Sequence, residues 1–146
     1  NTKQLTEEQL PVGNALKEKE FSKAVIGKIE AIGCENMTVQ QLKEALSLKL
    51  LAGEEGLSQE VSGCYIGDLL SWVMGRAKAG DAWLTVMGNI SALAVASLAD
   101  TACIILTENA WLDEDAKRKA DQQGICVLGA EENSYRLALQ IGRLLS

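Results

Sequence analysis

The chain contains no histidine. That absence removes Ser-His-Asp and Cys-His catalysis, and with them the commonest metal ligand among side chains. Proline is represented by Pro11 alone, which argues against proline-rich linkers and disordered tracts. No apolar run approaches the roughly 18 residues of a membrane-spanning helix, and no signal-peptide pattern precedes the first element. GxGxxG, GxxxxGK(S/T) and GxSxG are all missing, so dinucleotide, phosphate-loop and hydrolase-elbow chemistry has no motif behind it. A non-enzymatic chain is therefore expected, with no catalytic residue, no metal and no cofactor assigned. Cations cluster only at Lys117-Arg118-Lys119, one helical turn after Asp113-Glu114-Asp115, and the formal charge is -6. Nucleic acid, which needs a basic footprint, is not expected as a partner.

The four cysteines, Cys34, Cys64, Cys103 and Cys126, form no CxxC pair and have no metal spacing. Cys103 and Cys126 lie inside the apolar runs ACIIL and GICVL, where a free thiol behaves as a small hydrophobe. Reduced, structural cysteines in a cytoplasmic chain without a membrane segment are the expectation. The chain starts at Asn1 rather than Met, as expected of one that is processed, tagged or cut from something longer. An apolar share of 47% over 146 residues suffices for one core without disulfide or metal staples.

The periodicity divides the chain in two. Residues 1–36 form an N-terminal extension with one predicted amphipathic helix, Glu18–Ile32, carrying Phe21, Val25, Ile26, Ile29 and Ile32 on a narrow stripe and ending at Gly33. A lone stripe of this kind must dock on the following domain, pair with its copy, or belong to a preceding domain. Residues 37–146 alternate predicted helices with short apolar strands: helix 39–46 capped by Thr38, strand 49–52, strand 61–66, helix 69–79 capped by Asp68, strand 83–87, helix 90–98, strand 102–106, helix 113–123 closed by Gly124, strand 125–128 and helix 134–145. That alternation predicts an α/β domain of three layers, α/β/α, with a mostly parallel sheet. Trp72 is expected in the core beside Leu69, Leu70 and Val73, and Trp111 on the surface as a lid, an interface anchor or packing under the next helix.

Polar turns follow the predicted strands at one sheet edge, where open α/β sheets bind ligands. Gly88-Asn89-Ile90-Ser91 offers helix N-terminal amides and two polar side chains to an anion, or else Asn89 only caps the helix. Thr107-Glu108-Asn109 holds a polar ligand, or Glu108 is a surface acid. Asn133-Ser134-Tyr135 opens the last helix and turns Tyr135 toward the same rim. The candidate ligand-binding residues are Gly88, Asn89, Ser91, Thr107, Glu108, Asn109, Ser134 and Tyr135. The helix between the first two turns is rich in small residues, which allow close approach to the domain's own sheet or to a partner subunit.

The runs MTVQQLKEAL, LLAGEEGLSQEVSGCYIGDLLSWVMG, AGDAWLTVMGNISALAVASLADTACIILTEN and ENSYRLALQIGRLL resemble the DRTGG domain, in the short stand-alone type of anaerobic bacteria, over residues 37–146. The resemblance implies a fold like the N-terminal domain of HPr kinase and a regulatory, dimerising or ligand-sensing role. The wider family supplies such modules to phosphotransacetylases, HPr kinase-like proteins and CBS-containing pyrophosphatases. It further implies a homodimer, an adenine nucleotide as ligand in the pyrophosphatase branch, and a setting in anaerobic energy or redox metabolism. Gly88-Asn89 stands where the family carries Asp-Arg, and Thr107-Glu108-Asn109 where it carries Thr-Gly-Gly. Losing the arginine removes a cation suited to phosphate, and Glu108 adds a charge that repels one. Ser134-Tyr135 matches the Thr-Tyr pair that opens the family's last helix. A purely structural or protein–protein module without a small ligand is the alternative expectation, and an accessory domain of a kinase or acyltransferase a more distant one.

Overall fold

Short apolar strands need both faces covered, and the helices between them supply the cover. The computed structural model describes residues 37–146; the predicted helix 18–32 and Cys34 lie outside the described residues. In chain order the elements are β1 (Met37–Thr38), α1 (Val39–Ala45), β2 (Lys49–Ala52), a 3-10 turn (Glu54–Ser58), β3 (Glu60–Val61), β4 (Gly63–Ile66), α2 (Leu70–Arg76), β5 (Asp81–Thr85), α3 (Ile90–Ala99), β6 (Cys103–Leu106), α4 (Glu114–Gln123), β7 (Val127–Gly129) and α5 (Ser134–Leu145). The main sheet has the order β2-β7-β6-β5-β4, parallel from β4 to β7, with β2 antiparallel on β7. This is the mostly parallel α/β sheet that the alternation predicts.

Strands β4 to β7 lie side by side in sequence order, so no reversal of strand order occurs among them. Right-handed crossovers between successive neighbours all fall on one side of a sheet. Accordingly α2, α3 and α4 share one face, where Val73, Leu93, Ala96, Ala116 and Ala120 pack on Trp83, Ile104, Leu106 and Val127. The alternate residues Ala82, Leu84, Cys103, Ile105 and Leu128 are also buried. Helix α5 packs against β4 and β5 and buries Leu137 and Ile141. Ligand crevices of open sheets arise where strand order reverses. Among β4 to β7 there is no such reversal, so a site at their carboxyl edge has to be built by the turns themselves.

Local chemistry explains most boundaries. Thr38 caps α1 in a full capping box: its hydroxyl accepts from Gln41 N at 3.2 Å while Gln41 Oε1 accepts from Thr38 N at 2.9 Å. Gly124 closes α4 in the left-handed conformation, φ 68°.

Three sequence expectations are corrected. The run 61–66 is two strands, because Glu60–Val61 pairs antiparallel with β1 while Gly63–Ile66 joins the main sheet as its edge. Asp68 does not cap α2. Leu69 occupies that position without a side-chain bond, and Asp68 Oδ1 instead accepts from Thr85 Oγ1 at 2.7 Å and Val86 N at 3.0 Å. Trp72 is not core: it is 53% exposed and stacks under the Arg76 guanidinium, 3.8 Å from the ring centroid. A seven-residue helix beside an edge strand has only two turns to present, and Val73 is its one fully buried residue.

Cys103 and Cys126 are buried and Cys64 is half-buried, all three as free thiols. Burial pushes the Cys64 thiol up to about 11, with the Asp81 charge adding to the rise. Burial takes Cys126 to about 12 against a small opposing pull from Lys43. Cys103 is raised well above the usual thiol range by the same cause. Thiols so disfavoured as thiolates are structural rather than reactive. Among the described residues no helix is long and apolar enough to cross a membrane, and no group of three or more metal-ligating side chains converges.

Candidate functional site

Strand β5 ends in a buried threonine, and a second one directly follows β6. Thr85 and Thr107 are 1% and 0% exposed, and the two strand ends are joined by the bond from Thr107 N to Thr85 O at 3.1 Å. Buried hydroxyls need partners, and both have them. Thr85 Oγ1 donates to Asp68 Oδ1 and accepts from Met87 N at 3.2 Å. The hydroxyls of Thr107 and Ser134 are 3.0 Å apart, which ties the end of β6 to the first turn of α5.

Beyond Thr107 the backbone enters a tight reversal. Glu108 and Asn109 both have positive φ, 57° and 55°, and Ala110 N closes back on Thr107 O at 3.0 Å. Two left-handed central residues with an i to i+3 bond are the signature of a type I′ turn. The turn is clamped to the loop after β7 by Glu108 N on Glu132 O and Asn109 N on Ala130 O, both 2.9 Å. Its side chains are exposed. The left-handed backbone costs side-chain-bearing residues roughly 1–2 kcal/mol each, so these bonds hold a conformation that glycine would adopt freely. The Gly-Gly of the resembled motif falls on these two positions.

The first turn is built differently. Asn89 Oδ1 accepts from Ala92 N at 2.9 Å, so its oxygen caps α3. Gly88 is required by close approach: a Cβ there would lie 1.8 Å from the Trp111 carbonyl oxygen, and Gly88 O accepts from Asp113 N at 2.8 Å. The connection between the two turns therefore runs through the segment 111–113. Ser91 is exposed on the first turn of α3, and Tyr135 is exposed on the first turn of α5. Asn133 Oδ1 caps α5 by accepting from Arg136 N at 3.0 Å. Trp111 is 75% exposed, which rules out packing under α4 as its role.

Of the eight candidate residues, Thr107 and Ser134 are bonded to each other, and Glu108 and Asn109 are clamped beside them. Gly88, Asn89 and Ser91 stand on the neighbouring turn, and Tyr135 follows Ser134 as an exposed residue of α5. Sequence reasoning missed Thr85 and gave Asp68 the wrong partner. The available signal was Thr85 itself, a hydroxyl closing an otherwise apolar strand. The exposed acids Glu108, Glu131 and Glu132 make the rim electronegative. Arg136 approaches Glu132 at 3.6 Å from the next turn.

A cavity of about 370 Å³ lies at the other end of the sheet, beside the amino end of the edge strand, lined by Gly63, Cys64, Tyr65, Arg76, Lys78 and Asp81 among others. Asp81 is nearly buried there and accepts from Lys78 N at 2.8 Å. Its Oδ1 stands 2.5 Å from where a Gly63 Cβ would be, so the carboxylate fills space that only glycine leaves. It shares no residue with the polar rim.

Comparison with curated proteins finds no match. The family model described as the DRTGG domain matches residues 41–144, which covers every element from α1 into the last turn of α5, both polar turns included. The chain belongs to the DRTGG domain family, whose members are small regulatory-type domains of unclear function.

Proposed function

We propose that this chain is a non-catalytic regulatory or ligand-sensing module, homodimeric, that takes a small polar ligand at the carboxyl edge of β5 to β7. The setting implied by the family resemblance is anaerobic energy or redox metabolism. The observation that carries the reading is the Thr107–Asn109 turn. Two side-chain-bearing residues are held left-handed by backbone bonds to a second loop, and their exposed side chains stand beside the part-buried Thr107–Ser134 pair. Strain of this kind concentrates at ligand clamps and switch regions. The acids on the rim favour a neutral or cationic polar ligand over a phosphate. An adenine nucleotide is the family's alternative.

Thermal melting of the full chain against adenine nucleotides, inorganic phosphate, small amines and amino acids tests this. A true ligand at about 100 times its Kd stabilises by about 2.7 kcal/mol. The shift should shrink in Glu108→Ala and Asn109→Ala. Silence across the panel, or a shift indifferent to both variants, removes the carboxyl edge as a ligand site. A second reading, a protein–protein module with no small ligand, is favoured by the exposed indole of Trp111. Aromatic side chains of this type anchor interfaces.

A further inference from the structure

Helix α3 has a face that the packing of residues 37–146 leaves uncovered. None of its ten residues is charged, and among the five described α-helices this is true of α3 alone. Ala92, Leu93, Val95 and Ala96 are buried against the sheet, while Ile90, Ser91, Ala94, Ser97 and Leu98 are exposed, Leu98 at 72%. An amphipathic surface helix ordinarily turns charge outward, as α4 does with Lys117, Arg118 and Asp121. Helix α3 is apolar or small on both sides.

The outward residues are also symmetric. Counting away from Ala94, the helix pairs Leu93 with Val95, Ala92 with Ala96, Ser91 with Ser97, and Ile90 with Leu98. The exposed set is centred on the same residue. A two-fold axis makes a surface meet itself, and an antiparallel pair of helices meets itself in reversed order. Two α3 helices crossing at Ala94 would set Ile90 of each copy against Leu98 of the other, and Ser91 against Ser97. The smallest side chain on the face would stand at the crossing point, where the backbones come closest. Beside α3, α2 adds the exposed Met74 and Trp72.

Electrostatics also favours a second copy on this face. Each chain carries a formal charge of -6, so two copies repel over most of their surfaces, and a self-contact must be made where acids are missing. We infer that the outer face of α3 is the contact between two copies of this chain, crossing antiparallel about Ala94. This deepens the homodimer reading and rests on it.

The test is sedimentation velocity on the full chain at tens of micromolar, with far-ultraviolet circular dichroism as the fold check. The wild type should sediment as a dimer. Ala94→Arg, at an exposed position, sets two guanidinium groups at the axis and should raise the dimer dissociation constant on the order of 100-fold or more without changing the spectrum. Independently, Ala94→Cys under mild oxidation should give a covalent dimer that neither the wild type nor Gln122→Cys on α4 gives. A wild-type dimer that survives Ala94→Arg and does not cross-link through Ala94→Cys overturns the α3 contact while leaving the homodimer standing. A monomeric wild type overturns both.

Discussion

The hydroxyl of Thr107, directly after the central strand β6, lies 3.0 Å from the hydroxyl of Ser134 in the first turn of α5. This contact joins the sheet to helix α5 at the edge where the polar turns gather. Thr107→Val keeps the shape and removes the bond. It is expected to cost about 1 kcal/mol, with Ser134→Ala costing a similar amount. The double variant should cost less than the sum, because each single change removes the same interaction. Urea midpoints of the four proteins check this. Strict additivity would mean that the two hydroxyls do not interact.

Glu108 should be a site where stability and function trade against each other. Its left-handed backbone costs roughly 1–2 kcal/mol, and glycine's extra freedom in the unfolded chain takes back about 0.5–1 kcal/mol. Glu108→Gly is therefore expected to stabilise by about 0.5–1 kcal/mol while weakening any ligand held through the side chain. A raised melting temperature with a smaller ligand-induced shift is the expected pair of results.

Two glycines predict opposite outcomes for the same substitution. A Cβ on Gly88 would meet the Trp111 carbonyl oxygen at 1.8 Å, whereas one on Gly75 would meet nothing within 4 Å. Gly88→Ala should destabilise by about 2–3 kcal/mol, since backbone must shift to admit it. Gly75→Ala, in the exposed face of α2, should instead stabilise by about 0.5–1 kcal/mol. Denaturant midpoints separate the two directly.

Asn89 serves as a cap, and its substitutions should follow capping rules. Asn89→Ala leaves the amide of Ala92 without its partner and should cost about 1 kcal/mol, while Asn89→Asp, which keeps an acceptor at the helix N-terminus, should be close to neutral. A ligand contact made through the Asn89 amide nitrogen would show as lost binding in Asn89→Asp despite retained stability.

The buried thiols predict a loss of stability in alkali. A free thiol ionises near 9.0, whereas Cys64 is held to about 11 and Cys126 to about 12 in the folded chain. The unfolded chain therefore releases these protons first. The thiols' contribution to stability is intact below pH 9 and is lost as pH rises from there through 11 and 12. Comparing melting temperatures of the wild type and Cys126→Ala across pH 8 to 11 isolates the Cys126 part. The difference between the two should fall steadily above pH 9.

Most helices of this domain are legible in the chain because their ends are decided locally; α2, expected over 69–79 and found at Leu70–Arg76 without the Asp68 cap, is the exception. Thr38, Asn89, Gly124 and Asn133 mark their helix ends through bonds or dihedrals within a turn of themselves, and α5 was bounded correctly at both ends. The apolar runs likewise determined that strands and helices alternate, and hence a mostly parallel sheet. Tertiary structure decided what no local pattern encodes. Splitting the run 61–66 required a partner in β1, 24 residues earlier at Met37↔Val61. The role of Asp68 depended on Thr85, which approaches only when β4 and β5 pair. The exposure of Trp72 followed from the place of α2 beside an edge strand. At the candidate site, the sequence by itself determined that polar turns follow β5, β6 and β7. Only the fold decided that Thr107 meets Ser134 and that Glu108 and Asn109 are held left-handed, because the Ser134 hydroxyl in α5 and the carbonyls of Ala130 and Glu132 in the loop after β7 are all more than twenty residues away.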